Sequence, residues 1–124
     1  IKEVVHTYGW YMRKYVRETK AKGGTAIICS LVPRNNWKDG KVNRSADSWA
    51  LWAKQIAEQE GAFFIDLNEL VAAKYEALGE TAVKTFFPAD NTHTNEEGAR
   101  INVATVVDQL RLLRPGSLTK YLNQ

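Results

Sequence analysis

The segment 87–99 contains the residues of this chain that are best placed for proton transfer, Asp90 and His93. They lie three residues apart in a predicted loop that Pro88 opens. At this spacing a tight turn can set the carboxylate against one imidazole nitrogen, so that the other nitrogen can act as a general base. A helix is predicted to follow directly, and its dipole disfavours a charged imidazolium. The spacing alone leaves open that both residues only cap the loop and the helix.

The elements that must position this pair alternate between helices and short apolar strands. The predicted order is helix 4–22, strand 25–31, loop 34–44, a helix from Ser45 or Asp47 to residue 60, strand 62–66, a helix from Asp66 or Asn68 to residue 78, a helical piece 80–86, loop 88–93 and a last helix from Thr94. Glycines after the first three helices are typical helix stops. Thr94 and Glu97 are predicted to form a capping box, and Pro115 with Gly116 to end the last helix.

This order predicts an α/β fold whose two strands are parallel and joined by a crossover helix. Both strand segments are apolar enough to be buried on both faces, so further parallel strands are expected beside them. The first helix also resembles the return arm of a crossover from an earlier strand. We therefore interpret residues 1–124 as the C-terminal portion of a single domain whose N-terminal part is missing.

Composition narrows the functional classes without choosing among them. Apolar residues make up 44% and charged residues 25% of the chain, and no segment approaches the roughly 20 apolar residues of a membrane span. The net charge of +3 comes from scattered basic residues, which form no stripe of the kind that nucleic acid requires. A polyanionic substrate such as pectin would suit this charge. Cys29 is a single cysteine in an apolar run, which predicts a buried, inert thiol.

The stretch from Asp90 to Ala99 resembles the final signature block of the SGNH/GDSL hydrolases, in which an aspartate and a histidine complete a Ser-His-Asp triad. Four more segments are similar to the rhamnogalacturonan acetylesterase branch of that superfamily: residues 6–11, 30–35, 37–40 and 64–68. The likeness runs from Val4 to about Leu113. It implies the C-terminal part of a flavodoxin-like, three-layer fold with parallel strands, and an esterase in which Asp90 orients His93.

Other parts of the family pattern are absent from this chain. It contains no Gly-Asp-Ser block, and the glycine and the Gly-x-Asn-Asp block that supply the family's oxyanion hole are also missing. Its serines are Ser30, Ser45, Ser48 and Ser117, and none is predicted to be the nucleophile. The chain alone is therefore expected to be inactive. The resemblance implies that it supplies the Asp-His part of a complete ester hydrolase.

Residues that follow the first strand are the further candidates for substrate contacts. Ligands of open α/β sheets bind where parallel strands end, so Arg34, Asn35 and Trp37 could hold a sugar and its carboxylate. The alternative for this segment is a packed tryptophan and a solvated arginine. Elsewhere, a core position is predicted for three tryptophans with helical spacing, a surface or hydrogen-bonded position for His6, and a helix cap for Asp66. The tryptophans are Trp10, Trp49 and Trp52.

The sequence predicts no cofactor, and no bound metal, because His6, Asp90 and His93 lack the spacing of a metal site. The leading hypothesis is a carbohydrate acetylesterase that removes acetyl groups from pectic rhamnogalacturonan. The alternatives are a non-catalytic glycan-binding module or an esterase or lipase for other acyl esters. Family resemblance implies a secreted or periplasmic protein. The predicted unpaired sheet edge also suggests self-association, and neither nucleic acid nor a membrane is expected as a partner.

Overall fold

A computed structural model describes residues 2–113 and 116–122. Its elements are α1 (Tyr8–Ala21), β1 (Ile27–Cys29), β2 (Trp37–Lys38), β3 (Lys41–Val42), α2 (Trp49–Glu60), β4 (Phe63–Ile65), α3 (Leu67–Leu78), α4 (Glu80–Lys84), α5 (Glu96–Leu113) and a 3₁₀ helix (Gly116–Tyr121). The predicted α/β class is confirmed. Pro115 lies outside the described residues. None of the helices in the described part has both the length and the apolar character needed to span a bilayer.

The centre of the fold is a parallel pair of strands, β1 and β4. Ile27, Ile28 and Cys29 are opposite Phe63, Phe64 and Ile65. The connection between the strands includes α2, as the predicted crossover requires. Because the strands are parallel, the segments that follow them leave the sheet at the same end, the carboxyl end of both strands. One of these segments begins at Ser30 and the other at Asp66.

Helices cover both faces of this pair, so the molecule has three layers. Ile28 packs with residues of α1 and α2 in one apolar cluster: Val16, Ile28, Ala53, Ile56 and Ala57. Ile65 belongs to a second cluster on the opposite face: Val42, Ile65, Leu67, Val71, Ala72, Tyr75, Val83, Phe86 and Phe87. Four residues of α5 pack against this second cluster: Ile101, Val106, Leu110 and Leu113. Alternate side chains of each strand therefore enter different cores.

The prediction that both strands are buried on both faces is wrong. Cys29 is exposed, and so is Phe63, with 37% of its surface accessible. By strand alternation these two side chains share the face of Ile27 and Ile65. The helices of the described part cover that face over Ile65 but leave Cys29 and Phe63 open. The prediction that Cys29 is buried is therefore wrong.

The predicted loop 34–44 contains a small β-hairpin. Strands β2 and β3 pair in antiparallel fashion, with Trp37 opposite Val42. The turn residues Asp39 and Gly40 have φ angles of 51° and 73°. Positive φ at both central residues is the geometry of a type I′ turn, for which Asp-Gly is a preferred pair. The Asp-Gly signal was in the sequence, but each strand is only two residues long and shows no alternating pattern.

Charged residues fasten this hairpin to α3. Glu76 accepts a hydrogen bond of 3.0 Å from the Val42 backbone N–H and also pairs with Arg44 and Lys41. Hydrogen bonding to Arg44 is the largest cause that lowers the pKa of Glu76 to about 2. Arg44 reaches Glu69 as well. Arg44 is thereby a structural residue that joins the hairpin to the helix.

Two predicted helix starts are wrong. The first helix begins at Tyr8, because the Thr7 hydroxyl caps it by accepting a hydrogen bond from the Trp10 N–H. Val4 and Val5 precede this cap and are exposed. The predicted caps Ser45 and Asp47 do not start α2, whose first residue is Trp49. The Ser45 N–H is instead bonded to the Asn68 side chain, and its carbonyl closes a turn that comes before the helix.

The last helix begins at Glu96 and is capped by Asn95, so the Thr94–Glu97 capping box is also wrong. The Asn95 side-chain oxygen accepts a hydrogen bond of 3.1 Å from the Gly98 N–H. The Asn95 amide group also donates to the Thr85 carbonyl, at 3.0 Å. This one side chain therefore caps α5 and fixes the start of the helix against the segment after α4.

A glycine allows α5 to pack closely against that segment. A Cβ atom at Gly98 would lie 2.9 Å from the Cβ atoms of both Phe86 and Thr94. These atoms are next to the backbone and cannot move aside as a flexible side-chain end could. Farther along the helix, Val103 is 61% exposed, whereas Thr105 is buried and its hydroxyl donates to the Ile101 carbonyl.

The two rival caps of α5 can be separated by mutation. We expect Asn95→Ala to lower the free energy of unfolding by about 0.5–2 kcal/mol, because the Gly98 N–H loses its side-chain acceptor. Thr94→Ala is the matched control and should have a smaller effect. Urea denaturation followed by circular dichroism measures both values. Equal destabilisation by the two substitutions would contradict the assignment of Asn95 as the cap.

Candidate active site

Asp90 and His93 are in direct contact in the loop before α5. The imidazole Nδ1 of His93 lies 2.6 Å from Oδ2 of Asp90. The other carboxylate oxygen, Oδ1, accepts hydrogen bonds of 2.7 Å from the backbone N–H groups of Thr92 and His93. These backbone bonds close a compact turn, so the three-residue spacing is enough to place the ring against the carboxylate.

The same contacts keep the Asp90 carboxylate ionised. Its pKa is lowered from the ordinary 3.8 to about 2. The largest cause is the hydrogen bond from the His93 backbone N–H, followed by the bond from the His93 side chain and that from the Thr92 N–H. All of these donors favour the charged form of the acid. At neutral pH Asp90 is therefore an anion that attracts the Nδ1 proton of its neighbour.

The far side of the His93 ring is open. The His93 side chain is 81% exposed and the Asp90 side chain 45%. Within the described residues, Nε2 of His93 has no hydrogen-bond partner. With Nδ1 protonated toward Asp90, Nε2 is the nitrogen that can accept a proton from outside. The arrangement is therefore an oriented base that is accessible to solvent.

Hydrogen bonds connect this loop to the segment after β1. The Asn91 carbonyl accepts a hydrogen bond of 2.8 Å from the Asn35 N–H. The Asn91 side chain donates to the Asn36 side chain, also at 2.8 Å. Two segments that are far apart in sequence thus meet beside His93. The structure brings the predicted residue Asn35 to the loop of the Asp-His pair through its backbone.

The other residues predicted to bind substrate differ in their positions. Arg34 is exposed, and none of the ion pairs of the described part involves it. Trp37 is half-buried and packs against the second cluster, while its indole N–H donates to the Asn35 side chain at 2.7 Å. This leaves Trp37 without a free donor for a sugar. These contacts agree with the alternative interpretation of this segment, in which the tryptophan is packed.

A cavity of about 290 Å³ lies beside Arg34. It is lined by Leu31, Val32, Pro33, Arg34, Asn36, Asn43, Arg44, Ser45, Trp49 and Asn68, and we call it the arginine cavity. Asn36 links this cavity to the Asp-His loop through its bond with Asn91. The arginine cavity lies at the carboxyl ends of the strands, where the sequence predicted the substrate contacts.

Ser30 is a structural residue in this fold. It is only 3% exposed, and its hydroxyl donates to Asp66 and accepts from the Asn68 N–H, both at 2.8 Å. Asp66 in turn accepts a hydrogen bond from the Glu69 N–H, which confirms its predicted role as the cap of α3. Ser30 thus ties the end of β1 to the start of α3.

The predicted core positions of three tryptophans are wrong. Trp10, Trp49 and Trp52 are 41%, 45% and 42% exposed. The buried face of α2 is formed by Ala50, Ala53, Ile56 and Ala57, and the bulky rings lie beside it. The surface position predicted for His6 is confirmed, since its exposed ring stacks on Trp10 at a centroid distance of 3.7 Å. Among the described residues there is no group of three or more side chains that could hold a metal ion.

Comparison with known proteins identifies relatives of this chain and of its fold. The chain is 31% identical over 101 residues to a rhamnogalacturonan acetylesterase of Emericella nidulans, covering 82% of this chain and 41% of the relative. It is 28% identical over 103 residues to the uncharacterised esterase YxiM of Bacillus subtilis, covering 81% and 27%. The crystal structure of YxiM superimposes with a TM-score of 0.76 at 27% identity, over 85% of this chain and 30% of that one.

The chain is homologous to the SGNH hydrolases. The resemblance to the rhamnogalacturonan acetylesterase-like branch, predicted from the sequence, is confirmed, and so is the α/β fold. No family model matches the chain. The chain spans less than half the length of the relatives named here.

Two asparagines that position the Asp-His loop were not predicted from the sequence. Asn91 holds the loop to the segment after β1, and Asn95 holds it to the segment after α4. A signal for Asn95 was present, because asparagine is a preferred helix N-cap. Nothing in the sequence indicated Asn91, since its partners lie more than fifty residues earlier.

The ionisation of Asp90 can be measured by carboxyl-carbon NMR. We expect a midpoint near pH 2, and a higher one in His93→Ala, which loses the imidazole bond but keeps the backbone bonds. A carboxyl pKa lower in the folded than in the unfolded state adds stability above about pH 4, and that stability is lost as the pH falls toward 2. A midpoint near 3.8 in the unaltered chain would contradict the geometry of the loop.

Proposed function

We propose that this chain supplies the Asp-His part of the catalytic triad of a serine esterase that removes acetyl groups from pectic rhamnogalacturonan. The nucleophilic serine and the oxyanion-binding glycine and asparagine would come from sequence that the chain does not contain. The observation that carries the proposal is the contact of 2.6 Å between Asp90 and Nδ1 of His93. The acetylesterase named among the relatives supports the choice of substrate.

In the proposed first step, Nε2 of His93 accepts the proton of the serine hydroxyl as its oxygen attacks the acetyl carbonyl carbon. The carbonyl π electrons move to oxygen, which becomes the oxyanion of a tetrahedral intermediate. The intermediate then collapses and the bond from the carbonyl carbon to the sugar oxygen breaks. The imidazolium returns its proton to that oxygen, so the sugar leaves as a neutral alcohol and the serine carries the acetyl group.

In the second step His93 acts on water. Nε2 takes a proton from the water molecule as its oxygen attacks the acetyl-serine carbonyl carbon. The bond to the serine oxygen then breaks, the imidazolium protonates that oxygen, and acetic acid leaves and ionises to acetate in solution. Throughout both steps Asp90 remains ionised and stabilises the imidazolium. Its low pKa, about 2, supports this assignment because a protonated carboxyl could not do so.

Substitution in a complete protein that carries both the serine block and this chain tests the assignment. We expect His93→Ala to reduce acetate release from acetylated rhamnogalacturonan by several orders of magnitude. Asp90→Asn should cost about 10³–10⁴-fold, because an amide can favour the wrong imidazole tautomer. His6→Ala is the matched control, since His6 is the only other histidine and lies on the surface of the fold. Unchanged turnover in His93→Ala would exclude the proposal.

Two other functions are distinguished by the products. A glycan-binding module would bind pectic fragments without releasing acetate. An esterase or lipase for other substrates would hydrolyse longer acyl esters faster than acetylated pectin. The open Nε2 of His93 favours catalysis over binding alone, since a binding module has no need of an oriented base. The secreted or periplasmic location stays a prediction.

We also propose that the chain by itself associates through its sheet edges. Within the described residues, β1 and β4 pair only with each other, so each has an unpaired edge. Unpaired edges and exposed apolar side chains favour pairing with another chain. Sedimentation at increasing concentration should show species larger than 14.0 kDa. Cys29→Lys should weaken the association, while Leu112→Lys, on the outer face of α5, should not. A monomer at all concentrations would contradict this proposal.

A further inference from the structure

A cluster of aromatic rings, two of them exposed, lies where α1 and α2 begin. The ring of Tyr8 meets Trp49 edge-on at a centroid distance of 5.2 Å, and Trp49 meets Trp52 at 5.0 Å. Both tryptophans keep more than two fifths of their surface exposed. Tyr8 packs against the buried cluster on this side of the sheet, but neither tryptophan does. Packing of the described core therefore does not explain the position of the two indole rings.

The rings line an open cavity of about 390 Å³. It is lined by Thr7, Tyr8, Gly9, Arg13, Trp49, Trp52, Gln55 and Ile56, and we call it the aromatic cavity. Its volume falls in the range of about 300–1,000 Å³ that is usual for ligand pockets. Its walls combine aromatic faces with an arginine, an amide and two hydroxyl groups. This mixture is typical of pockets that fix the orientation of a ligand that is partly apolar and partly polar.

The aromatic cavity lies at the same end of the sheet as His93, the carboxyl end of the strands. Helix α2 follows β1 and therefore begins on the side where that strand ends. Helix α1 runs alongside α2 in the same direction, because Tyr8 meets Trp49 near the start of both helices and Arg17 meets Glu60 near their ends. The loop of Asp90 and His93 is bonded to the segment after β1, which leaves the sheet at this end.

The aromatic cavity adjoins the arginine cavity. Trp49 lines both, and Asn36 connects the arginine cavity to the Asp-His loop. The two linings include three arginines, Arg13, Arg34 and Arg44, and no carboxylate. Arg13 and Arg44 also have acidic partners outside the linings. Arg34 is in none of the ion pairs of the described residues, which leaves its charge available to a ligand. The path is therefore complementary to an anionic chain.

We propose that the aromatic cavity is a remote subsite for an acidic polysaccharide whose acetylated residue lies at His93. The proposal rests on the proposed function for the position of the reacting ester. The sugar rings would lie against Trp49 and Trp52 through their C–H faces, and their hydroxyl groups would bond to Gln55 and Thr7. A uronate carboxylate along the path would pair with Arg34. A chain that spans both cavities would be selected over a single acetylated sugar.

Calorimetric titration of the chain with acetyl-free rhamnogalacturonan oligosaccharides tests the subsite without requiring catalysis. We expect binding, and at least a tenfold weaker affinity for Trp52→Ala, because Trp52 lines only the aromatic cavity. Trp10→Ala is the matched control: Trp10 is equally exposed but does not line that cavity, so affinity should change less than twofold. Neutral xylo-oligosaccharides should bind at least tenfold more weakly than the acidic ones.

A second variant covers the case in which Trp52→Ala does not fold. Gln55→Glu places a carboxylate in the cavity at an exposed position of α2, and should reduce affinity for the acidic oligosaccharides at low salt. No binding by the unaltered chain, or unchanged affinity in Trp52→Ala and Gln55→Glu, would overturn the subsite.

The two proposals fail in different ways. Absence of acetate release by a complete protein would exclude the esterase and leave the binding result intact. Absence of oligosaccharide binding at the aromatic cavity would exclude the subsite, while acetate release that depends on His93 would still support the esterase.

Discussion

The parallel pairing of β1 with β4 is the constraint on which the rest of the structure depends. It is short, with three residues in each strand, and hydrogen bonds from Phe63 to Ala26 and from Ser30 to Ile65 extend it by one step at each end. Alternating side chains of the pair divide the apolar residues into two cores. The parallel direction also brings the segments after both strands to one end of the sheet. The bond between the Ser30 hydroxyl and the Asp66 carboxylate, 2.8 Å, joins them there.

The Asp-His contact at that end of the sheet is formed by neighbouring residues in the sequence. The turn of Asp90 to His93 is closed by its own backbone N–H groups, and it needs no partner from elsewhere in the chain to bring the ring to the carboxylate. The position of the loop on the molecule depends on other segments, because an exposed loop does not hold a fixed position by itself. Asn91 ties it to the segment after β1, and Asn95 and the close packing at Gly98 tie it to the second core. These contacts determine where the open nitrogen of His93 faces.

The exposed aromatic rings follow from the way α2 approaches the sheet. Its inner face is formed mainly by alanines, which are buried completely or nearly so. Small side chains let the helix lie close to the strands, and this leaves no space beneath it for an indole ring. Trp49 and Trp52 are therefore displaced to the flank of the helix, where Trp49 meets both Tyr8 and Trp52. Helical spacing of aromatic residues indicated an apolar face but could not distinguish a core from a surface cavity.

The sequence by itself determined the α/β order of elements, the helix stops at Gly23 and Gly61, and the Asp90–His93 contact, since these depend on neighbours within a few residues. The missed hairpin turn was equally local, but an Asp-Gly pair between strands of two residues is a weak signal. Only the tertiary structure decided the exposure of Cys29 and the three tryptophans, the structural role of Ser30, and the bonds of Asn91. Each of these depends on which segments meet across the sheet. Burial and long-range hydrogen bonds belong to pairs of segments, and a single sequence without its partners in space does not contain that information.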